Sequence, residues 1–166
     1  EIHYTTDGIT DPTQVSPLYQ GPVVIGTTTT LKARAFKAGM VASAVKSAVY
    51  TLQVAKPVIN PNGGTYTSSP AILISCATEG ALIYYTTNGD EPTQSSTIYQ
   101  GYFYISNSCT VKAKAFKAGT TPSETASAQF TMQAYAPSFS LSAGTYNTPQ
   151  SLTMYCSTSG ATIRYT

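Results

Sequence analysis

The chain has 166 residues and a formal charge of +2, with 10% charged, 42% hydrophobic and 11% aromatic residues, 13 Tyr, three Cys, one His and no Trp. So small a charge gives no basic stripe for nucleic acid, and no apolar run reaches the roughly 18 residues of a membrane span. The 27 Thr and 18 Ser, interleaved with short apolar segments that can bury a core, mark a β-rich folded chain rather than a disordered one. The first residues, Glu1-Ile2-His3-Tyr4, have neither the basic nor the apolar region of a leader, and the chain is read as mature or excised.

Repetition organises the sequence. Lys32-Ala33-Arg34-Ala35-Phe36-Lys37-Ala38-Gly39 returns as Lys112-Ala113-Lys114-Ala115-Phe116-Lys117-Ala118-Gly119, and Tyr19-Gln20-Gly21 returns as Tyr99-Gln100-Gly101. Ile2-His3-Tyr4-Thr5 matches both Ile83-Tyr84-Tyr85-Thr86 and Ile163-Arg164-Tyr165-Thr166. With joints near Lys56-Pro57 and Ala136-Pro137, residues 1–56 read as the back part of one repeat of about 80 residues. Residues 57–136 read as a complete repeat, and 137–166 as the front part of the next.

In chain order, the Ile2–Thr5 segment runs into an Asp7-Gly8 hairpin turn, and Lys32 to Phe36 is extended. Lys56-Pro57-Val58-Ile59 opens the complete repeat, and Gly63-Gly64-Thr65-Tyr66 is expected to be a bulge or turn. Ile72, Ile74 and Cys76 alternate with Leu73 and Ser75, a period of two. Leu82 to Thr87 makes a strand closed by Asn88-Gly89, where both positions tolerate positive φ. Further strands are expected at Ile98-Tyr99, at Tyr102 to Ile105, at Thr110 to Phe116 with Val111, Ala113 and Ala115 inward, and at Ala126 to Met132. In the last segment Leu152, Met154 and Cys156 repeat the inward row. About seven short strands per repeat and no helical period predict an all-β chain of tandem immunoglobulin-like or fibronectin-III-like sandwiches.

The run Ile83-Tyr84-Tyr85-Thr86-Thr87-Asn88-Gly89-Asp90-Glu91-Pro92-Thr93, followed by Tyr99-Gln100-Gly101 and by Thr110 to Gly119, resembles the β-sandwich repeat of the chitobiase and β-hexosaminidase C-terminal family. That family is also described as a fibronectin-III-associated repeat. The resemblance implies an extracellular or cell-surface module, bacterial or archaeal, appended to other domains and without catalytic residues or a particular ligand. The first repeat departs from the pattern by one extra residue in its turn, Asp7-Gly8-Ile9-Thr10-Asp11-Pro12.

No enzyme is expected. A glycosidase needs two carboxylates facing across a cleft, one in an apolar setting, whereas Asp90 and Glu91 are neighbours in a turn. The sole histidine, His3, stands where the other copies have Tyr84 and Arg164, at an outward position, which leaves no triad or zinc site. No cofactor is expected. Calcium at the Asp7/Asp11 and Asp90/Glu91 turns is the weaker alternative to plain hairpin chemistry, since calcium takes about six to eight ligands. Lys112 and Lys114, like Lys32 and Arg34, form a basic row, read as a solvated face or as a contact for acidic polysaccharide. Tyr84, Tyr102, Tyr104 and Tyr155 have outward parity and suit an interface between neighbouring copies better than sugar stacking.

Cys76 and Cys109 both have inward parity, on the two strands that face each other in a seven-stranded sandwich, and a disulfide between them is expected, with the oxidising compartment it implies. Thr29 replaces Cys109 in the first copy, so Cys156, the counterpart of Cys76, is expected to be a buried free thiol. Residues 137–166 alone leave Leu152, Met154, Cys156 and Ile163 facing water, and residues 1–56 alone expose Leu31, Ala33, Ala35 and Val49. Their sum is one repeat. The expected function is therefore a non-catalytic extracellular structural repeat, part of a stalk or fibre whose half-repeats are completed head-to-tail by neighbouring repeats or subunits, with a covalent array preferred over separate chains. The alternative is an accessory glycan-binding module of a larger secreted enzyme.

Overall fold

The computed structural model describes residues 1–166 and is built from strands alone. At the start of the chain β1 (Ile2–Thr5), β2 (Thr29–Ala35) and β3 (Lys46–Tyr50) make an antiparallel sheet in that order. Its register sets Ile2 opposite Ala35, Tyr4 opposite Ala33 and Lys32 opposite Ser47.

The middle of the chain holds β4 (Val58–Asn60), β5 (Gly64–Tyr66), β6 (Ala71–Ser75), β7 (Leu82–Thr86), β8 (Thr97–Ile98), β9 (Phe103–Tyr104), β10 (Cys109–Phe116) and β11 (Ala126–Met132). They form two sheets, β5-β11-β10-β7-β8 and β4-β6-β9. Alternation decides what each sheet buries, because successive side chains of a strand point to opposite faces. Ile72 and Ile74 of β6 are buried while Leu73 between them is exposed, and Val111, Ala113 and Ala115 of β10 are completely buried. With Ile59, Ile83, Ala126, Ala128 and Phe130 they form a single core shared by both sheets, the arrangement of a β-sandwich.

The first sheet repeats the larger central sheet in register. Ile83 faces Ala115, Tyr85 faces Ala113 and Lys112 faces Ser127, just as Ile2, Tyr4 and Lys32 face their partners. Local chemistry repeats as well. The Ser43 hydroxyl accepts from the Ala35 N–H at 3.0 Å and the Ser123 hydroxyl from the Ala115 N–H at 2.8 Å. At the far end β12 (Ser138–Phe139) and β13 (Met154–Tyr155) pair antiparallel, as β4 pairs with β6.

The expected turn at Gly63-Gly64-Thr65-Tyr66 is a strand instead. β5 adds parallel to the edge of β11, with Gly64 opposite Phe130 and Tyr66 opposite Met132. Gly63 enters at φ +84°, and a Cβ there would lie 2.5 Å from the Gln129 carbonyl oxygen, so the glycine serves a close backbone approach rather than a reversal of the chain.

A short clasp joins the first sheet to the sandwich. The Thr28 N–H donates to Gly119 O at 2.8 Å, the Thr121 N–H to Leu52 O at 2.8 Å, and the Val54 N–H to Thr121 O at 2.9 Å. Val54 enters the sandwich core at 2% exposure, and the Ala55 N–H donates to the Thr78 hydroxyl at 2.8 Å.

Candidate functional site

Asp7 and Asp90 are engaged within their own turns, and Asp11 and Glu91 pair with lysines of neighbouring strands. Asp7 accepts the N–H groups of Ile9 at 3.0 Å and Thr10 at 2.9 Å, and the Thr10 side chain, then the N–H groups of Thr10 and Ile9, hold its carboxyl below the usual value. Asp11 pairs with Lys32 at 2.9 Å. Asp90 accepts from the Asn88 side chain at 2.6 Å. Glu91 accepts from the Thr125 hydroxyl and from Lys114 at 3.0 Å, and these two, in that order, lower its pKa. No group of three His, Cys, Asp or Glu side chains converges in the fold. Within the basic row Lys114 and Lys32 each lie against a carboxylate, while Arg34 donates to Ser43 O at 2.8 Å and Lys112 pairs with no carboxylate.

His3 departs from its expected outward, solvated place. Its parity is outward, but the segment that follows the turn folds over that face, burying Pro12 and leaving His3 5% exposed. Nδ1 lies 2.7 Å from Ser16 O, and the ring meets Phe36 edge-on at 5.5 Å. Tyr84 occupies the same place on Phe116, edge-on at 5.6 Å. Tyr84 is thereby withdrawn from the surface row of tyrosines, its ring spent on packing. Tyr102 and Tyr104 remain, each 64% exposed, perpendicular to each other with centroids 5.8 Å apart, and Tyr155 is also exposed. The cover over His3 and Tyr84 escaped sequence reasoning because parity alone says nothing about a loop returning over a face; the two buried prolines, Pro12 and Pro92, were the available signal.

The expected disulfide does not form. Cys76, Cys109 and Cys156 are free thiols, each half-buried. Both Cys76 and Cys109 do pack against the core, so their parity is as expected. Their heights in the sandwich differ. Ala71, at the start of β6, pairs with Tyr104 near Cys109, and β6 then runs away from that end. Cys76 lies beyond its other end, where Lys117, just past β10, donates to Glu79 O at 2.9 Å. Each residue of strand rises about 3.3 Å, so the run from Ala71 to Cys76 carries the thiol well beyond the roughly 7 Å between Cα atoms that a disulfide allows. Cys76 donates to Ala55 O at 3.2 Å instead, and burial raises the pKa of Cys109. Cys156 copies Cys76 with a hydrogen bond to Tyr135 O at 3.1 Å, and is only half-buried.

The two flanking segments present unfinished cores. Phe139 is 60% exposed, Leu152 is 45% exposed and Tyr50 is 45% exposed, while their central counterparts Ile59, Ile72 and Phe130 are 4%, 0% and 1% exposed. Leu31 and Ala33 are half-buried and Ala35 is exposed. Val49 does not belong to this inner row: it is the counterpart of outward Gln129, and the inward neighbours on β3 are Ala48 and Tyr50.

Fold and surfaces together define an immunoglobulin-like β-sandwich module whose turn carboxylates are held by hydrogen bonds and ion pairs. The model of the chitobiase/beta-hexosaminidase C-terminal domain family matches residues 1–47 and 61–127, and the chain belongs to that family. The domain is a non-catalytic accessory of carbohydrate-active enzymes. No curated protein and no solved structure matches the chain.

Proposed function

We propose that the chain is a non-catalytic extracellular structural repeat, part of a cell-surface stalk or fibre, in which 1–56, 57–136 and 137–166 are the back part of one repeat, a whole repeat and the front part of the next. The observation that carries this reading is the recurrence of one strand register and one set of hydrogen bonds 80 or 81 residues apart, with an inter-repeat clasp that can be passed from each repeat to the following one. The two matched stretches, parted by residues 48–60 around the expected joint at Lys56-Pro57, support it. Neighbouring copies of the repeat are the partners. Antibody labelling of intact source cells tests it: surface labelling is expected, and signal only after the cells are opened contradicts it.

Family membership favours a second reading, an accessory glycan-binding module, in which exposed Tyr102 and Tyr104 would supply the aromatic contact, with polysaccharide as partner. Glycan-array binding that is lost in Tyr102→Ala and Tyr104→Ala supports this alternative, and binding to no glycan removes it.

A further inference from the structure

Two depressions at one end of the central sandwich share Thr87. One, of about 520 Å³, follows the loop between β7 and β8 and is lined by Thr87, Asn88, Asp90, Ser95 and Ser96 among others. The second, of about 220 Å³, is lined by Thr87, Tyr104, Ser106 and Asn107 and reaches Cys109. The fold fixes the two relative to each other. Tyr85, which also lines the first, stacks on Phe103 with ring centroids 4.4 Å apart, and Phe103 lies between Tyr102 and Tyr104 in the chain. The backbone of Asn88 bridges to that of Thr110, the residue after Cys109.

The groove has an apolar side and a polar side. On the apolar side stand Tyr102 and Tyr104, each 64% exposed, and the pairing of Ala71 with Tyr104 and of Ile72 with Phe103 continues so as to set Leu73, 51% exposed, beside Tyr102. On the polar side the Asn88 and Asp90 side chains hold each other at 2.6 Å. Exposed Thr87, Ser95, Ser106 and Asn107 keep their side-chain hydroxyl or amide groups free of partners in the chain. Asp90 and Glu91 line the first depression, and no lysine or arginine lines either. The repeat framework does not require these residues. Tyr102, Tyr104, Ser106 and Asn107 correspond to Pro22, Val24, Gly26 and Thr27 in the first repeat, and Leu73 corresponds to Thr153 in the last segment. An exposed apolar row that the framework does not need marks a contact surface.

We infer that this groove binds a neutral oligosaccharide, with one sugar ring stacked on the Tyr102 and Tyr104 pair and the hydroxyls of the next held by Asn107, Ser106 and Thr87. The inference rests on the glycan-binding reading above, to which it gives a site and a ligand class. A sugar ring has an apolar C–H face and a rim of hydroxyls, so it is recognised by an aromatic plate set beside free amides and hydroxyls. Here the two tyrosine rings stand at 85° to each other, which braces their orientation while both stay open to solvent. Charge selects the class: the Asp90 carboxylate has no cation beside it and repels the carboxylate of a uronic acid. A protein partner suits the surface less well, because a stable interface takes about 20–30 residues a side and this row offers three apolar side chains.

Isothermal titration calorimetry of the full chain tests this, with cellohexaose, xylohexaose, mannohexaose and N-acetylchitohexaose as neutral probes and hexagalacturonate as the anionic one. At least one neutral hexasaccharide is expected to bind, and hexagalacturonate is not. Tyr102→Ala should weaken that binding about tenfold and Asn107→Ala about fivefold. Tyr155→Ala, which removes an exposed tyrosine outside the groove, should leave it unchanged. All three side chains are exposed, so the circular dichroism of each variant should remain that of the wild type. Binding that either groove substitution leaves unaffected, or hexagalacturonate binding as tightly as the neutral probes, would overturn the groove and leave the glycan-binding reading standing. Binding to none of the neutral hexasaccharides would remove both.

Discussion

Tyr50 and Phe130 hold the same position in two sheets of one register, opposite Thr29 and Cys109 respectively, yet Tyr50 is 45% exposed and Phe130 is 1% exposed. The difference lies in what covers them. Phe130 packs beneath β4 and β6 and beside Tyr66 at 6.0 Å, whereas the β1-β2-β3 sheet has no second layer. Truncation should expose the asymmetry. Phe130→Ala is expected to cost roughly 3–5 kcal/mol in denaturant unfolding of the sandwich, and Tyr50→Ala about 1 kcal/mol or less in the dilute chain. Equal costs would mean that the first sheet is already covered.

The thiols give a second prediction. Alkylation under denaturing conditions without reductant should add three labels per chain, and under native conditions Cys109 should react slowest, because burial raises its pKa and keeps the thiolate scarce. A label count of one would restore the Cys76–Cys109 disulfide.

Acid should weaken the Glu91 anchor. Its pKa is lowered in the fold by the Thr125 hydroxyl and Lys114, so its contribution is complete above the ordinary value of 4.5 and is lost as the pH falls through the lowered one. The melting-point difference between the wild type and Glu91→Gln should therefore be largest near neutrality and shrink below pH 4.5. A difference independent of pH contradicts this.

Gly63 and Gly39 separate two costs of adding a methyl group. Both have positive φ, at +84° and +78°, but only at Gly63 would the Cβ meet backbone, at 2.5 Å from Gln129 O. Gly39→Ala is expected to lose about 1–2 kcal/mol from the left-handed conformation alone, and Gly63→Ala more, with β5 released from β11. Thermal melts of the two variants should rank in that order.

Much of this fold was legible because its signals are local. Alternation placed Ile72, Ile74, Val111, Ala113 and Ala115 inward, whereas Asn88-Gly89 opens a loop over 87–96 before β8 instead of a two-residue hairpin turn, with positive φ at Gly89 alone. What failed depends on relations that parity does not encode. Parity sets the face of Cys76 and Cys109 but not their heights, and those heights lie at opposite ends of the sandwich. It sets His3 outward but cannot see the loop that buries it. The Gly63-Gly64 pair reads as a turn until the edge of β11 stands beside it.

Hydrogen exchange on the full chain tests the central claim most directly, because Thr30–Ala35 and Thr110–Ala115 are equivalent stretches of strand under unlike cover. The Thr30–Ala35 amides should exchange much faster than those of Thr110–Ala115, because β4, β6 and β9 lie over the central sheet alone. Equal protection of the two stretches would contradict a repeated strand register in which only the central copy is buried between two sheets.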